Sequence, residues 1–468
     1  MVLLRANTGC FTEGVLEMKK VSFFGKDIPV IYEMDCVVVG GGTGGVAAAL
    51  SALENNIKTV IVEKTISLGG TQTNSLVSPM MPTNVPRQYI NRLITERLQQ
   101  ERIKTDDGTT SCNWFNVEAL SYVMEQLIVE RGGEILYDAN YIDCLKENNK
   151  ITHIIVNTCE GLGAIHGRTF IDATADALLS RTAGVKTNSG NNEGHNQQVT
   201  FRFEMGGIDI ATLRKYLLSK NDTYCKIKDS DFFEIAMVQG KGHTLEPLFQ
   251  KAFNNGDLQQ EDLRYFQGFT QPGKPNVMSF NCPHIPNILQ TTNPIARSKA
   301  VVKGREMIRR LVNFLVNYVP GFQHAFLLRE ASQLGIRESW RIVGQYVLTE
   351  EDYIKRARFT DGIARGDWYI DIHSVKNEEI PKVQFSPGEY YEIPYRSLIT
   401  FEVDNLIVAG RHISSTFLMQ ASLRIQPTIR DIGQAAGLAC ALSVKENIPL
   451  NQLDGVALRR QLQLMEEL

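Results

Sequence analysis

Asp371 and His373 stand two residues apart in "DWYIDIHS", a spacing that places both side chains on one face of an extended segment. Histidine is the side chain whose ordinary pKa lies nearest neutrality, so His373 is a candidate general base with a carboxylate at hand. The competing reading is a packed or hydrogen-bonded histidine. Metal chemistry has less footing: the eight histidines are scattered, and no spaced pair with acidic partners forms a ligand set. "NCPH", with Cys282 and His284, reads as a turn. The eight cysteines include no close pair of the kind a redox dithiol or a zinc knuckle requires, and they read as reduced thiols of a cytoplasmic protein.

Such side chains need a frame, and the clearest one begins at "CVVVGGGTGG". A short apolar strand runs into Gly40, Gly42 and Gly45, after which the alanines and Leu50 carry a helix to about Asn55. In a strand, turn and helix of this kind, Gly40 permits the tight turn, Gly42 lets a pyrophosphate approach the backbone, and Gly45 allows close packing of helix on strand. The free amides at the helix start face the phosphates. The next strand, "KTVIVEK", ends in Glu63, 23 positions after Gly40, followed by Lys64. A carboxylate there accepts hydrogen bonds from an adenosine ribose and disfavours a 2′-phosphate. "GLGAIHG", Gly161 to Gly167, has the spacing of a second nucleotide loop but lies between strand-like segments, so it reads as a hairpin turn.

Three further segments accompany the glycine turn. They are "SLGGTQTNS" with Gly69, Gly70 and Thr71, "FIDATADALLSRTAG" with Asp172, Thr174 and Asp176, and the late stretch Val403 to Val444 containing "NLIVAGR" and "PTIRDIGQAAGLACALSV". Together they resemble the FAD-dependent oxidoreductases of the glutathione-reductase-like flavoprotein superfamily, distantly related to the fumarate reductase and succinate dehydrogenase flavoprotein subunits. Ala175 departs from the family, which usually has glycine there. The resemblance implies FAD contacts at these loops and at Gly410 and Arg411, where the chain returns to the cofactor. It also implies a closing helix aimed at the flavin, with Arg424 just ahead of it. The covalent histidine found in some members has no counterpart near "TQTNSLVSPMM", so noncovalent FAD is expected. "LLREASQLGIRESWRI" resembles a further family segment, whose Arg329, Glu330, Arg337, Glu338 and Arg341 either pair internally or offer one arginine to a substrate carboxylate. Arg396 in "IPYRSL" matches a family-like arginine, and Arg337, Arg396 and His373 are the candidate catalytic set. His412 is expected near the flavin. The implied chemistry is hydride transfer between a small polar or carboxylated substrate and the flavin.

The expected fold is α/β: a Rossmann-like FAD-binding domain of glutathione-reductase type with an inserted α+β substrate domain. Residues 1–33 form an arm or edge strand, 34–196 the first part of the FAD domain, 197–395 the inserted region, and 396–468 the return strand and closing helix. "ARSKAVVKGREMIRRLVNFLVNYVP" is an amphipathic helix whose Arg305, Arg309 and Arg310 read as a solvated face. With 49 Lys and Arg against 52 Asp and Glu, the net charge of -3 gives no bulk reason to expect nucleic acid or an anionic membrane. No run reaches membrane-spanning length. The expected partners are a small-molecule substrate and an unidentified electron donor or acceptor, with homo-oligomerisation left open. Two alternatives stand beside this reading. One is a noncatalytic flavin-binding scaffold; the other is an NAD dehydrogenase, which accounts for the glycine turn but not for the late return.

Overall fold

The computed structural model describes residues 19–101, 113–224, 232–373, 383 and 385–466; residues 1–18 of the expected arm, and Cys10, Cys112 and Cys225, lie outside them. The apolar run ahead of Gly40 ends a strand, Lys26–Val39. Val37, Val38 and Val39 are enclosed on both faces, which is how a central parallel strand reads as a continuous β-branched run. It pairs in parallel with Thr59–Val62 on one side and Gly161–Asp172 on the other. Glu134–Leu136 extends the sheet past the first of these, and the return strand Leu406–Val408 pairs with Phe170 to Asp172. The carboxyl ends of these strands share one edge, where open α/β sheets place their ligands.

Along the edge away from Lys26–Val39, Gly161–Asp172 serves two partners in succession. Its first half closes an antiparallel meander with Asn140–Glu147 and Lys150–Thr158, and its last residues take the return strand. "GLGAIHG" is therefore strand rather than turn. The turn precedes it, between Thr158 and Gly161, where Gly161 adopts a φ of 102°. Lys20–Phe23 forms a hairpin with the start of Lys26–Val39, and that strand crosses residue 33 without a break.

The helix after the glycine turn, Thr43–Glu54, lies against the closing helix Gln426–Glu446. Two glycines make that approach close: a Cβ on Gly433 would overlap the Gly44 carbonyl oxygen, and one on Gly437 the Ala48 carbonyl oxygen. Ser51 Oγ donates to the Gln434 carbonyl at 2.7 Å across the same seam.

Between outgoing and returning strands the chain builds a second, antiparallel sheet in the order Glu234–Val238, Tyr265–Gln271, Lys274–Phe280, Phe203–Gly206, Phe326–Glu330. The amphipathic helix Pro294–Tyr318 packs on it through Phe249, whose ring lies 4.3 Å from that of Phe314 and 5.2 Å from that of Phe266. Its basic face is mixed. Arg309 is exposed, whereas Arg305 pairs with Glu330 and Arg310 with Asp262 and Glu261. Among the described residues no helix is long and apolar enough to cross a membrane.

Candidate active site

Each glycine of the first turn answers a different steric demand. Gly40 has a φ of 106°, and a Cβ there would sit 2.5 Å from the Ala173 carbonyl oxygen. A Cβ on Gly45 would overlap the Gly40 carbonyl oxygen. Gly42 is unlike both: its backbone is extended, at φ -75° and ψ -172°, and a Cβ would meet only the Gly70 Cα, at 4.0 Å. The fold itself has no need for glycine there, but a phosphate resting on the turn would. Gly69 N donates to the Gly41 carbonyl at 2.8 Å, bringing "SLGGT" alongside. Glu63 Oε2 accepts from Gly41 N at 2.7 Å, and Oε1 accepts from Thr65 N and Oγ1 at 2.9 and 2.8 Å. Oε2 retains a lone pair for a ribose hydroxyl. The open face at Gly42, the helix start beyond it and this acid fit a dinucleotide such as FAD.

One cavity of about 700 Å³ extends from this turn to the second sheet. Gly40, Gly42, Glu63, Lys64, Gly70 and Thr71 line it on the first sheet. Thr174, Gly410, Arg411 and Arg424 follow, with Ile425, Gln426 and Ile429 at the start of the closing helix. Arg337 and His373 complete the wall. Ala175, also lining, has a φ of 64°, the left-handed conformation in which glycine is the least strained residue.

Four expected site residues do not line the cavity. Gly45 and Gly69 act from behind it, through the packing just described. Asp172 is buried with both oxygens satisfied: Oδ1 accepts from Thr174 N and Oγ1 and faces His412 Nε2 at 3.2 Å, while Oδ2 accepts from Ser180 N and Oγ. Burial opposes its charge, but His412 and the Ser180 hydrogen bonds outweigh that and hold the carboxyl down at about 2. Asp172 thus knots the strand end that presents Thr174, and His412 is sealed against it. Arg396, expected in the catalytic set, stands away from the cavity. It sits on a short 3-10 turn, Tyr395–Ser397, is about half exposed, and meets Asp361 in a two-pronged ion pair at 2.9 and 3.1 Å.

The catalytic end is organised by Asp371. Its Oδ1 lies 3.3 Å from His373 Nε2, and Oδ2 accepts from Arg424 Nη2 at 3.1 Å. Burial opposes the Asp371 charge, yet the His373 hydrogen bond and Arg424 hold its carboxyl well below the usual range. Burial and the Arg337 charge push His373 down to about 4 against the pull of Asp371, so its ring is neutral at pH 7. With Nε2–H donated to Asp371, Nδ1 carries the lone pair that can take a proton. Arg337 Nη1 donates to the Gln198 carbonyl and Thr200 Oγ1, and Nη2 lies 3.3 Å from His284 Nε2. His284, in the "NCPH" segment, stacks on Tyr265 and meets His373 edge to face. Within the "GIRESWRI" segment, Glu338 pairs with Arg341 while Arg337 is left to the cavity.

Sequence reasoning missed the wall supplied by the second sheet: Arg202, Glu234, Tyr265, Gln267, Phe269 and Asn281. A signal was present in "TFRFEMGG", where Arg202 and Glu204 alternate with Phe201 and Phe203, charging one face of an apolar strand.

The description "FAD dependent oxidoreductase" names the family whose profile matches residues 35–462. Among curated proteins, digeranylgeranylglycerophospholipid reductase 1 of Methanopyrus kandleri is 25% identical over 175 residues, covering 33% of this chain and 43% of that one. Thiamine thiazole synthase of Methanococcus maripaludis is 23% identical over 157 residues, covering 33% and 56%. The matched region thus spans about half the length of these relatives. Among solved structures, the flavin-dependent brominase Bmp2 aligns over 92% of this chain and 83% of its own at 12% identity and a TM-score of 0.49. The p-nitrophenol 4-monooxygenase PnpA of Pseudomonas putida aligns over 93% and 87% at 11% identity and a TM-score of 0.49.

Proposed function

The chain belongs to the FAD dependent oxidoreductase family, with FAD as a noncovalent cofactor, and on that premise we propose that it exchanges a hydride between the flavin and a small polar or carboxylated organic substrate. One observation carries this reading: a single cavity joins the Gly42 turn to the Asp371–His373 pair. Gly42, Gly70 and the start of helix Thr43–Glu54 would hold the pyrophosphate, Glu63 the ribose, and Arg411, Arg424 and the start of the closing helix the flavin end. Bound FAD supplies the two-electron acceptor or donor. The chain supplies the rest. Arg337 gives the cavity positive charge, Asp371 fixes the His373 ring, and His373 Nδ1 takes or returns the proton that accompanies hydride transfer.

The further likeness to fumarate reductase and succinate dehydrogenase subunits rests on the sequence motifs, and fumarate reduction is not part of the proposal. An external electron donor or acceptor would close the cycle. The test begins with a visible spectrum of purified protein and the mass of the cofactor released on denaturation. FAD-loaded protein is then mixed anaerobically with a panel of alcohols, amines and organic acids. Bleaching of the flavin bands without oxygen supports hydride transfer from substrate, and substrate reduction by prereduced protein supports the reverse direction. Conversion only when oxygen and a separate reductant are present would replace the proposal with an oxygenase mechanism.

A further inference from the structure

Arg202 immediately precedes the strand Phe203–Gly206 on the second-sheet wall of the cavity and is only 2% exposed. The other cavity arginines have close acceptors: Arg411 has Asp176, Arg424 has Asp371, and Arg337 has the Gln198 carbonyl and Thr200 Oγ1, so that Arg411 and Arg424 each leave only Nε buried without a partner among the described residues. Arg202 has one long hydrogen bond, from Nη1 to Asn281 Oδ1 at 3.4 Å. Among the described residues its Nε and Nη2 have no partner. A buried guanidinium in that condition is unfavourable unless something else accepts its protons. Burial lowers its pKa to about 10, so it remains charged at neutral pH.

The geometry of the unmatched atoms is specific. Nε–H and one N–H of Nη2 lie on the same edge of the planar guanidinium and run parallel, the fork that a carboxylate meets with both oxygens. The remaining nitrogen, Nη1, is tied into a polar chain. Asn281, which accepts from Arg202, donates to Gln267 Oε1 at 3.1 Å, and Tyr265 OH donates to the same oxygen at 2.6 Å. Gln267 Nε2 in turn donates to Glu234 Oε2 at 3.1 Å. The Phe269 ring, 5.7 Å from Arg202 Cζ, and Tyr265 supply aromatic surface beside the charge.

We propose that Arg202 anchors the substrate, binding the carboxylate of an organic acid through Nε and Nη2 while the body of that acid lies in the cavity. This rests on the proposed flavoenzyme reading and narrows its substrate class to carboxylates. It also moves the anion grip from Arg337, whose Nη1 and Nη2 already have partners, to Arg202. The test is isothermal titration calorimetry of FAD-loaded protein with three probes: benzoate, its neutral counterpart benzamide, and inorganic phosphate. Benzoate is expected to bind at least about 10-fold more tightly than either of the others. Arg202→Gln is expected to weaken benzoate about 10- to 100-fold with FAD stoichiometry unchanged, and Arg202→Lys, which keeps the charge but not the fork, to fall between. Equal affinity for benzoate and benzamide, a preference for phosphate, no benzoate binding, or an unaffected R202Q would overturn the proposal. Loss of FAD by R202Q would overturn it too, by assigning Arg202 to the cofactor. If R202Q does not fold, the three probes on wild type and R202K still decide. Failure of the wild type to take up FAD is seen separately and refutes the flavoenzyme reading instead.

Discussion

Replacing Gly42 by alanine separates what the fold needs from what the cofactor needs. The backbone there is extended and the nearest atom to a new Cβ is the Gly70 Cα at 4.0 Å, so the protein can accept the methyl group without strain. Gly42 is the N-cap of helix Thr43–Glu54, where alanine costs about 0.5–1 kcal/mol. A gain of about 0.4–1 kcal/mol from the restricted unfolded chain offsets this. The apoprotein melting temperature is therefore expected to move by no more than about 3 °C. The methyl group would occupy the space left for the pyrophosphate, and losing one charge-assisted backbone hydrogen bond, about 1.5–3 kcal/mol, weakens FAD roughly 10- to 150-fold. Gly45→Ala is the contrast. Its Cβ overlaps the Gly40 carbonyl oxygen, so it should destabilise the apoprotein by about 1–3 kcal/mol. Thermal denaturation of apoprotein followed by circular dichroism, with FAD titration followed by flavin fluorescence, measures both quantities. A G42A protein that binds FAD within threefold of wild type would refute the assignment of this turn to the pyrophosphate.

With a substrate in hand, kcat/KM should be level through neutral pH and fall as pH drops through about 4, where His373 gains its proton. His373→Gln should lower it about 100- to 10,000-fold and abolish that acid limb; a variant with unchanged rate excludes His373 as the base. Arg396→Met should leave FAD affinity and turnover within about twofold, since Arg396 pairs with Asp361 and does not line the cavity. A tenfold loss would return Arg396 to the site. Asp172 has its folded pKa depressed to about 2, so the stability it contributes is present above its ordinary pKa and lost as pH falls through about 2. Urea denaturation should therefore show the gap between wild type and Asp172→Asn narrowing by about 2 kcal/mol from pH 5 to pH 2. A gap independent of pH would place that charge outside the stability of the fold.

The half of the site built from local pattern was legible in the sequence. Gly40 to Gly45 and Glu63 belong to one strand-turn-helix-strand unit, so spacing alone carries their geometry, and "NLIVAGR" announces its strand by composition. The strand end at Asp172 is equally legible, but whether a buried carboxylate faces a ligand or its own loop depends on partners as remote as His412. Arg396 failed for a similar reason: a three-residue 3-10 turn sends its side chain to Asp361, and no periodicity reports that. The second-sheet wall was the least visible. Gln267 lies within one strand, Arg202 just before a second and Asn281 just after a third, and they become neighbours only through antiparallel pairing, whose register no local signal specifies.

Charge also ties His373 to the arginines around it. His373 is a weak base in the free protein because burial and Arg337 disfavour its protonated form; burial, then Arg424 and to a smaller extent Arg202, lowers the pKa of Arg337, and burial, then Arg337 and to a smaller extent Arg202, lowers that of His284. On this side of the cavity Arg202, Arg337 and Arg424 stand against Asp371 and Glu234, so positive charge is in excess. A substrate carboxylate seated on Arg202 would supply the missing negative charge, and by linkage the same anion that binds more tightly to the protonated site makes His373 easier to protonate. The base would then reach useful strength only with substrate present. The pH dependence of kcat/KM reports the free enzyme and that of kcat the complex, so the acid limb of kcat should lie above that of kcat/KM for a carboxylate substrate. Coincident limbs would mean that the anion sits too far from His373 to tune it.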